Sequence, residues 1–137
     1  MEKFVFDACA LIAYFNAEEG GILVKEKLEL ASSKTIEIYI HKVTLLELFY
    51  DCLKRGGSVN VENILARLNK MPIVKVKTID DDYIRKAAYF KANYRISFAD
   101  SFVLALGNIY NAKIITSDHH EFDKIEQAGE SKFEWFR

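Results

Sequence analysis

The stretch SFADSFVLALGNIYNAKIITSD, residues 97–118, carries a helix, a strand and two of the chain's most informative acids. Between Ser97 and Tyr110 the apolar residues Phe98, Phe102, Val103, Leu104, Leu106 and Ile109 lie nearly all round a helical period, which predicts a helix buried on most sides. Lys113–Thr116 then reads as a short strand that stops near Ser117-Asp118. A central apolar helix that feeds a strand is the repeating unit of layered α/β proteins.

Toward the N-terminus, Phe4-Val5-Phe6 is a continuous apolar run, the pattern of a strand covered on both faces, and it ends in Asp7. Ala8 to Phe15 predicts a short buried helix, broken by Glu18-Glu19-Gly20-Gly21. Ile22 to Ala31 predicts a surface helix whose apolar side is Ile22, Leu23, Leu28 and Leu30. Ile36–Ile40 alternates with period two and is the expected second strand. Val43, Leu45, Leu46, Leu48, Phe49, Cys52 and Leu53 form a wide apolar helix face, closed by Lys54-Arg55-Gly56-Gly57. Val59 to Met71 predicts another amphipathic helix, ended by Pro72, and Ile73–Val76 a third strand. Asp80-Asp81-Asp82 opens a helix that buries Tyr83, Ile84, Ala87 and Ala88, and Asn93–Ile96 is a loop. Phe133–Phe136 completes the pattern as a short edge strand. The expected fold is α/β, a three-layer sandwich with a central parallel sheet of four to five strands flanked by helices, in a single domain over residues 1–137.

A chain of 137 residues, 50% hydrophobic and 28% charged, has room for one ordinary core. With 6 Gly and 1 Pro it is no fibrous repeat. The net charge of -1 excludes binding to nucleic acid through a globally positive field and leaves a local basic groove as the alternative. Cys9 and Cys52 sit in apolar stretches without metal-type spacing, which suits a reducing cytosol. Asp7 interrupts the first apolar run before a leader's core could form, and no later run approaches the roughly 18 residues of a span. A cytoplasmic protein with no membrane partner is expected.

In open parallel sheets the ligand crevice lies beyond the carboxyl ends of the strands. Four acids map to that edge: Asp7 after the first strand, Glu47 early in the helix after the second, Asp100 in the first turn of the central helix, and Asp118 after the fourth strand. At an effective dielectric near 20, each carboxylate pair about 4 Å apart repels by roughly 4 kcal/mol. Raised proton affinities could relieve this, but a hard divalent cation relieves it while keeping all four as ligands. An all-oxygen set suits Mg²⁺ or Mn²⁺ rather than zinc, and phosphodiester hydrolysis is the natural reaction. The competing reading is that these acids only cap helices. Thr44-x-x-Glu47, Ser97-x-x-Asp100 and Asp118-x-x-Glu121 have the form of capping boxes, as does Thr78-x-x-Asp81, and Asp7 precedes a helix. Caps need not point to one crevice, whereas the strand-end order predicts that these four do.

The segments Phe4-Val5-Phe6-Asp7-Ala8, Thr44-Leu45-Leu46-Glu47-Leu48, Ser97-Phe98-Ala99-Asp100-Ser101 and Thr116-Ser117-Asp118 resemble, in order and spacing, the acidic motifs of the PIN domain. Within that superfamily the chain's size resembles a VapC-type toxin ribonuclease. The resemblance implies a PIN-like sandwich and metal-dependent endonucleolytic cleavage of RNA, with Asp7, Glu47, Asp100 and Asp118 as catalytic acids around Mg²⁺ or Mn²⁺. It also implies a homodimer and a small antitoxin that wraps the toxin and blocks its site. Thr44 and Ser117 are expected to support the acids by hydrogen bonds, and the family's less constant extra acid has Asp123 or Glu121 as candidates. The rival readings are a non-catalytic or rRNA-processing PIN-domain RNA-binding protein and a metal-dependent phosphatase of another fold.

His119 and His120 follow Asp118 directly, but adjacent residues seldom converge on one ion, and both are expected in a solvent-exposed loop. Lys42, Lys91 and Arg95 are candidate phosphate contacts or plain surface cations. Tyr14, Phe15, Tyr50, Tyr89, Phe90 and Tyr94 have helical spacing and are expected to pack more than to stack on bases. Cys9 stands where haloacid-dehalogenase-type phosphatases carry a second aspartate, which counts against them. Asp7 lacks the acidic neighbour that a phosphoacceptor receiver needs, and no GxxxxGK[ST] loop is present.

Overall fold

Alternation along the strands divides the core in two. The computed structural model describes residues 1–57 and 59–137. Its strands are β1 (Glu2–Phe6), β2 (Ile36–His41), β3 (Val74–Val76), β4 (Lys113–Thr116) and β5 (Lys132–Trp135), and the helices are α1 (Ala8–Phe15), α2 (Gly21–Ser32), α3 (Lys42–Arg55), α4 (Val61–Leu68), α5 (Asp81–Asn93), α6 (Phe98–Tyr110) and α7 (His119–Gln127). All strand pairs are parallel, in the order β3-β2-β1-β4-β5, with Val5 opposite both Tyr39 and Ile114. Period two sends Phe4, Phe6, Ile36, Ile38, Ile40 and Ile115 into one core, where Leu11, Val24, Leu28, Leu48, Ile64 and Leu68 cover them. Val5, Tyr39, Val76 and Ile114 enter the other, under Tyr83, Phe90, Leu104 and Phe122. Helices α1, α2 and α4 therefore lie on one face and α5, α6 and α7 on the other, the three-layer sandwich expected.

Helix α6 is as central as its composition requires, with every residue from Asp100 to Gly107 buried. Phe98, two residues earlier, is 69% exposed, lying against Phe102 on the rim of an apolar groove rather than in the core. Elsewhere the buried stripes are narrower than the sequence suggests. Helix α2 buries Val24, Leu28 and Ala31, spaced four and three residues apart, and leaves Ile22 and Leu30 exposed. Leu46, Tyr50 and Leu53 of α3 and Ile84 of α5 also face solvent.

Helix α7 is a further element that the apolar pattern does not announce, since Phe122 and Ile125 alone are buried along its length. His119 and His120 thus belong to its first turn rather than to a loop. Helix α4 is shorter than the Val59–Met71 span. Two caps are displaced. His41 Nδ1, not Thr44, accepts the Val43 N–H at 3.0 Å, and Asp80, not Thr78, caps α5. Strand β2 runs straight into α3, so the cap must come from the last strand residue. The buried His41 ring meets the Thr78 carbonyl oxygen through Nε2 at 3.1 Å, and burial holds its proton affinity below the ordinary value. No described helix is long and apolar enough to cross a membrane.

Candidate active site

Strand order reverses between β1 and β4: the chain winds outward through β2 and β3 on one side and through β5 on the other. The crevice at that switch point receives the residues that follow both strands. Asp7 follows β1 and caps α1, its Oδ1 accepting the Ala10 N–H at 3.0 Å. Its Oδ2 accepts the Thr116 hydroxyl at 2.5 Å, and Thr116 Oγ1 in turn accepts the Asp118 N–H at 3.0 Å. Asp118 caps α7 through the Glu121 N–H at 3.1 Å. Asp100 lies in the first turn of α6, its N–H donated to Ser97 Oγ at 3.0 Å, and Glu47 lies on α3.

These acids feel one another. Burial pushes the Asp7 carboxyl from 3.8 up to about 6, the charge on Asp118 adding to the rise, while hydrogen bonds from Cys9, Thr116 and Ala10 oppose it. Burial pushes Asp100 from 3.8 to about 7, and Asp7, Glu47 and Asp118 raise it further against a contact from Ser97. Glu47 is raised by burial first, then by Asp7 and Asp118. The four acids expected at the strand ends, drawn from four separate segments, therefore share one electrostatic site.

Glu121 joins them. Carboxylate oxygens of Asp100, Asp118 and Glu121 lie within 4.8 Å of one another. Glu121 Oε2 is buried with no hydrogen-bond partner among the described residues, as is the hydroxyl of Thr44. A carboxylate oxygen orphaned beside two other carboxylates has the chemistry of a cation ligand, and an all-oxygen set fits a hard divalent ion. Of the two candidates for an extra acid, Asp123 instead faces His119, with Nδ1 to Oδ1 at 2.8 Å. The His119 ring stacks on Trp135 at 3.9 Å, and its Nε2 meets the Arg137 carbonyl oxygen at 2.7 Å, so it anchors the C-terminal segment.

Lys42 and Arg95 are exposed, whereas Lys91 donates to the Ile96 carbonyl at 2.8 Å and braces the loop before α6. Ser117 Oγ meets Arg137 Nη2 at 3.4 Å. Tyr14 packs edge-on against Phe15, Phe90 is buried, the Tyr89 and Tyr94 hydroxyls both bond Glu130, and Tyr50 is exposed. Thr116 and Cys9, which hold the Asp7 carboxylate, escape sequence reasoning. The available signal is their place, two residues before one acid and two after another.

The sequence profile of the PIN domain matches residues 4–128. The chain belongs to the PIN domain family. PIN domains are generally nucleases that use divalent metal, and this one carries the acidic cluster. No curated protein matches the chain. Among solved structures it is similar to "Crystal structure of VapBC2 from Rickettsia felis bound to a DNA fragment from their promoter", at 15% identity and TM-score 0.69, covering 97% of this chain and 98% of that one. It is also similar to "Toxin-antitoxin complex from Klebsiella pneumoniae", at 19% identity and TM-score 0.65, covering 88% and 91%. A third, "2.2 A resolution structure of VapBC-1 from nontypeable Haemophilus influenzae", has 15% identity and TM-score 0.61, covering 98% of each chain. At such identities the likeness is one of fold. In two of the three it extends over nearly the whole of this PIN domain.

Proposed function

We propose that this PIN domain is a Mg²⁺- or Mn²⁺-dependent endoribonuclease, the toxin half of a VapBC-type toxin-antitoxin pair, acting through Asp7, Glu47, Asp100 and Asp118. The observation that carries the reading is that Asp7 after β1, Glu47 on α3 and Asp100 on α6 are all raised by burial and then by neighbouring acids, the charge of Asp118 acting on each of the three. Asp7, Glu47, Asp100 and Asp118 would hold the ion, with Glu121 as a fifth oxygen donor. When bound, the ion supplies an activated water and offsets charge on the scissile phosphate. Thr116 fixes the Asp7 carboxylate by its hydroxyl, and Ser97 anchors the helix turn that presents Asp100. Exposed Lys42 and Arg95 supply positive charge for the RNA backbone.

The reading includes two protein partners. A small antitoxin would block the acidic crevice. A second copy of the chain would dock at the apolar groove of about 740 Å³ lined by Val43, Ile84, Ala87, Phe98 and Phe102. Concave and projecting apolar groups lie together there, with Phe98 69% exposed at the rim, as a self-complementary twofold contact requires.

The test uses the full chain and labelled RNA, with Mn²⁺ or EDTA, comparing wild type with Asp7→Asn and Asp100→Asn. Asparagine caps helices about as well as aspartate, so loss of a cap alone predicts little change. The proposal predicts intact folding and a loss of cleavage of about a hundredfold or more, beyond what an outer-shell change gives. Variants that cut as fast as wild type would refute the catalytic assignment. Wild-type binding of RNA without cleavage in Mn²⁺ would favour the non-catalytic alternative.

A further inference from the structure

Cys9 stands at the second position of α1 with its sulfur turned toward the crevice rather than toward the core. Its Sγ donates to Asp7 Oδ1 at 2.9 Å and lies 3.3 Å from Thr116 Oγ1. It accepts the Ser117 N–H at 3.4 Å and lies 3.6 Å from Ser117 Oγ, across 108 residues of sequence. One atom therefore touches the turn that carries Asp7 and the turn that carries Asp118. The backbone link between the two strand ends is the longer Asp7 N–H to Ile115 carbonyl contact at 3.5 Å.

Resting on the reading of this crevice as a metal centre, we infer that Cys9 is a positioning residue, whose thiol locks Asp7 and the Ser117-Asp118 turn into one rigid ligand frame. Each Asp7 oxygen is then constrained from outside. Oδ2 is held by Thr116, and Oδ1 by the Ala10 N–H on one side and the thiol on the other. The cap bond from Ala10 sets the carboxylate's distance from the helix, and the thiol limits its rotation. A sulfur suits the position physically. Its larger radius spans contacts of 3.3–3.6 Å that fall beyond the usual reach of a hydroxyl oxygen, so it reaches Thr116 and Ser117 while bonding Asp7. The thiol serves as the donor to the carboxylate beside it. Outer partners of this kind orient carboxylate ligands, and removing one weakens metal binding about 10–100-fold.

The experiment measures Mn²⁺ affinity of the full chain by calorimetry, without RNA, for wild type, Cys9→Ala, Cys9→Val and Cys9→Ser, with melting in EDTA as the control for folding. A thiol is a weak donor, so Cys9→Ala should bind Mn²⁺ about tenfold more weakly, the low end of that range. Cys9→Val, which fills the space without a donor, should match it. Cys9→Ser keeps a donor to Asp7 but falls short of the Ser117 turn, so its affinity should lie between those of Cys9→Val and wild type. If Cys9→Ala or Cys9→Val binds as wild type does, the inference fails. It fails equally if Cys9→Ser is as weak as Cys9→Val, because packing rather than donation would then be the cause. Wild-type protein that binds no Mn²⁺ overturns the metal-centre reading together with this inference, whereas normal wild-type binding with unaffected variants overturns this inference alone.

Discussion

Replacing Asp100 by asparagine should stabilise the metal-free protein while destroying its response to metal. Asp100 is 9% exposed, and its carboxyl is pushed from 3.8 to about 7. A carboxyl with a folded value above its unfolded one holds its proton more tightly in the native state. Native stability is therefore highest below the unfolded value near pH 4 and falls as pH rises through about 7. Taken alone, the displacement opposes folding by about 4 kcal/mol at pH 8. The opposition is shared with Asp7 and Glu47, which are raised in the same cluster, so about 2 kcal/mol is expected for one substitution. For a domain of this size that corresponds to a melting point about 6 °C higher. The assay is thermal denaturation of wild type and Asp100→Asn at pH 8 in EDTA, repeated in Mn²⁺ and repeated at pH 5 in EDTA. The variant should melt higher in EDTA, Mn²⁺ should raise the wild type but not the variant, and the EDTA difference should shrink by more than half at pH 5. A variant that melts below wild type in EDTA at pH 8 would refute the reasoning, as would equal gains from Mn²⁺.

The other predictions concern the same site, the docking of the C-terminus and the apolar groove. Because Asp7 and Asp100 are raised to about 6 and about 7, protons compete with the ion, and Mn²⁺ affinity should fall about twentyfold between pH 8 and pH 6 by calorimetry. Gly20 has φ of 90°, and a Cβ there would stand 2.1 Å from Phe136 Cδ2. Gly20→Ala should therefore cost about 2 kcal/mol or more and lower the melting point by about 6 °C. Phe98→Asp should halve the mass seen by light scattering if the groove beside Phe98 joins two copies, and an unchanged mass would remove that face as the dimer contact.

The layered fold is legible because strand and helix periods are locally strong. Phe4-Val5-Phe6 and Ile36–Ile40 declare their strands, and they send alternate residues into separate cores as the period demands. Helix α7 is not legible because two buried side chains, Phe122 and Ile125, suffice to dock it. Its announcement is instead the Asp118-x-x-Glu121 box, in which Asp118 does take the N–H of Glu121. The convergence of Asp7, Glu47, Asp100 and Asp118 follows from strand order, which sequence reaches through general rules of parallel sheets. The roles of Thr116 and Cys9 do not follow, because they depend on which rotamer meets which oxygen across two turns that lie more than a hundred residues apart.

Capping and ligation are not alternatives in this crevice. Asp7 and Asp118 cap α1 and α7 with one oxygen and belong to the shared acidic patch at the same time, and Asp100 sits in the first turn of α6. Each helix N-terminus presents roughly half a positive charge to the acids beside it, so the starts of α1, α6 and α7, where Asp7, Asp100 and Asp118 sit, together offset about one and a half negative charges. The four carboxylates are therefore only partly compensated, and the buried Glu121 oxygen adds demand for a cation rather than relieving it. The metal-free protein meets the imbalance by holding protons on Asp7 and Asp100 nearer to neutral pH than carboxylates ordinarily do. The helix starts therefore make the acid cluster foldable, and the incomplete cancellation they leave is what gives the site its demand for a cation.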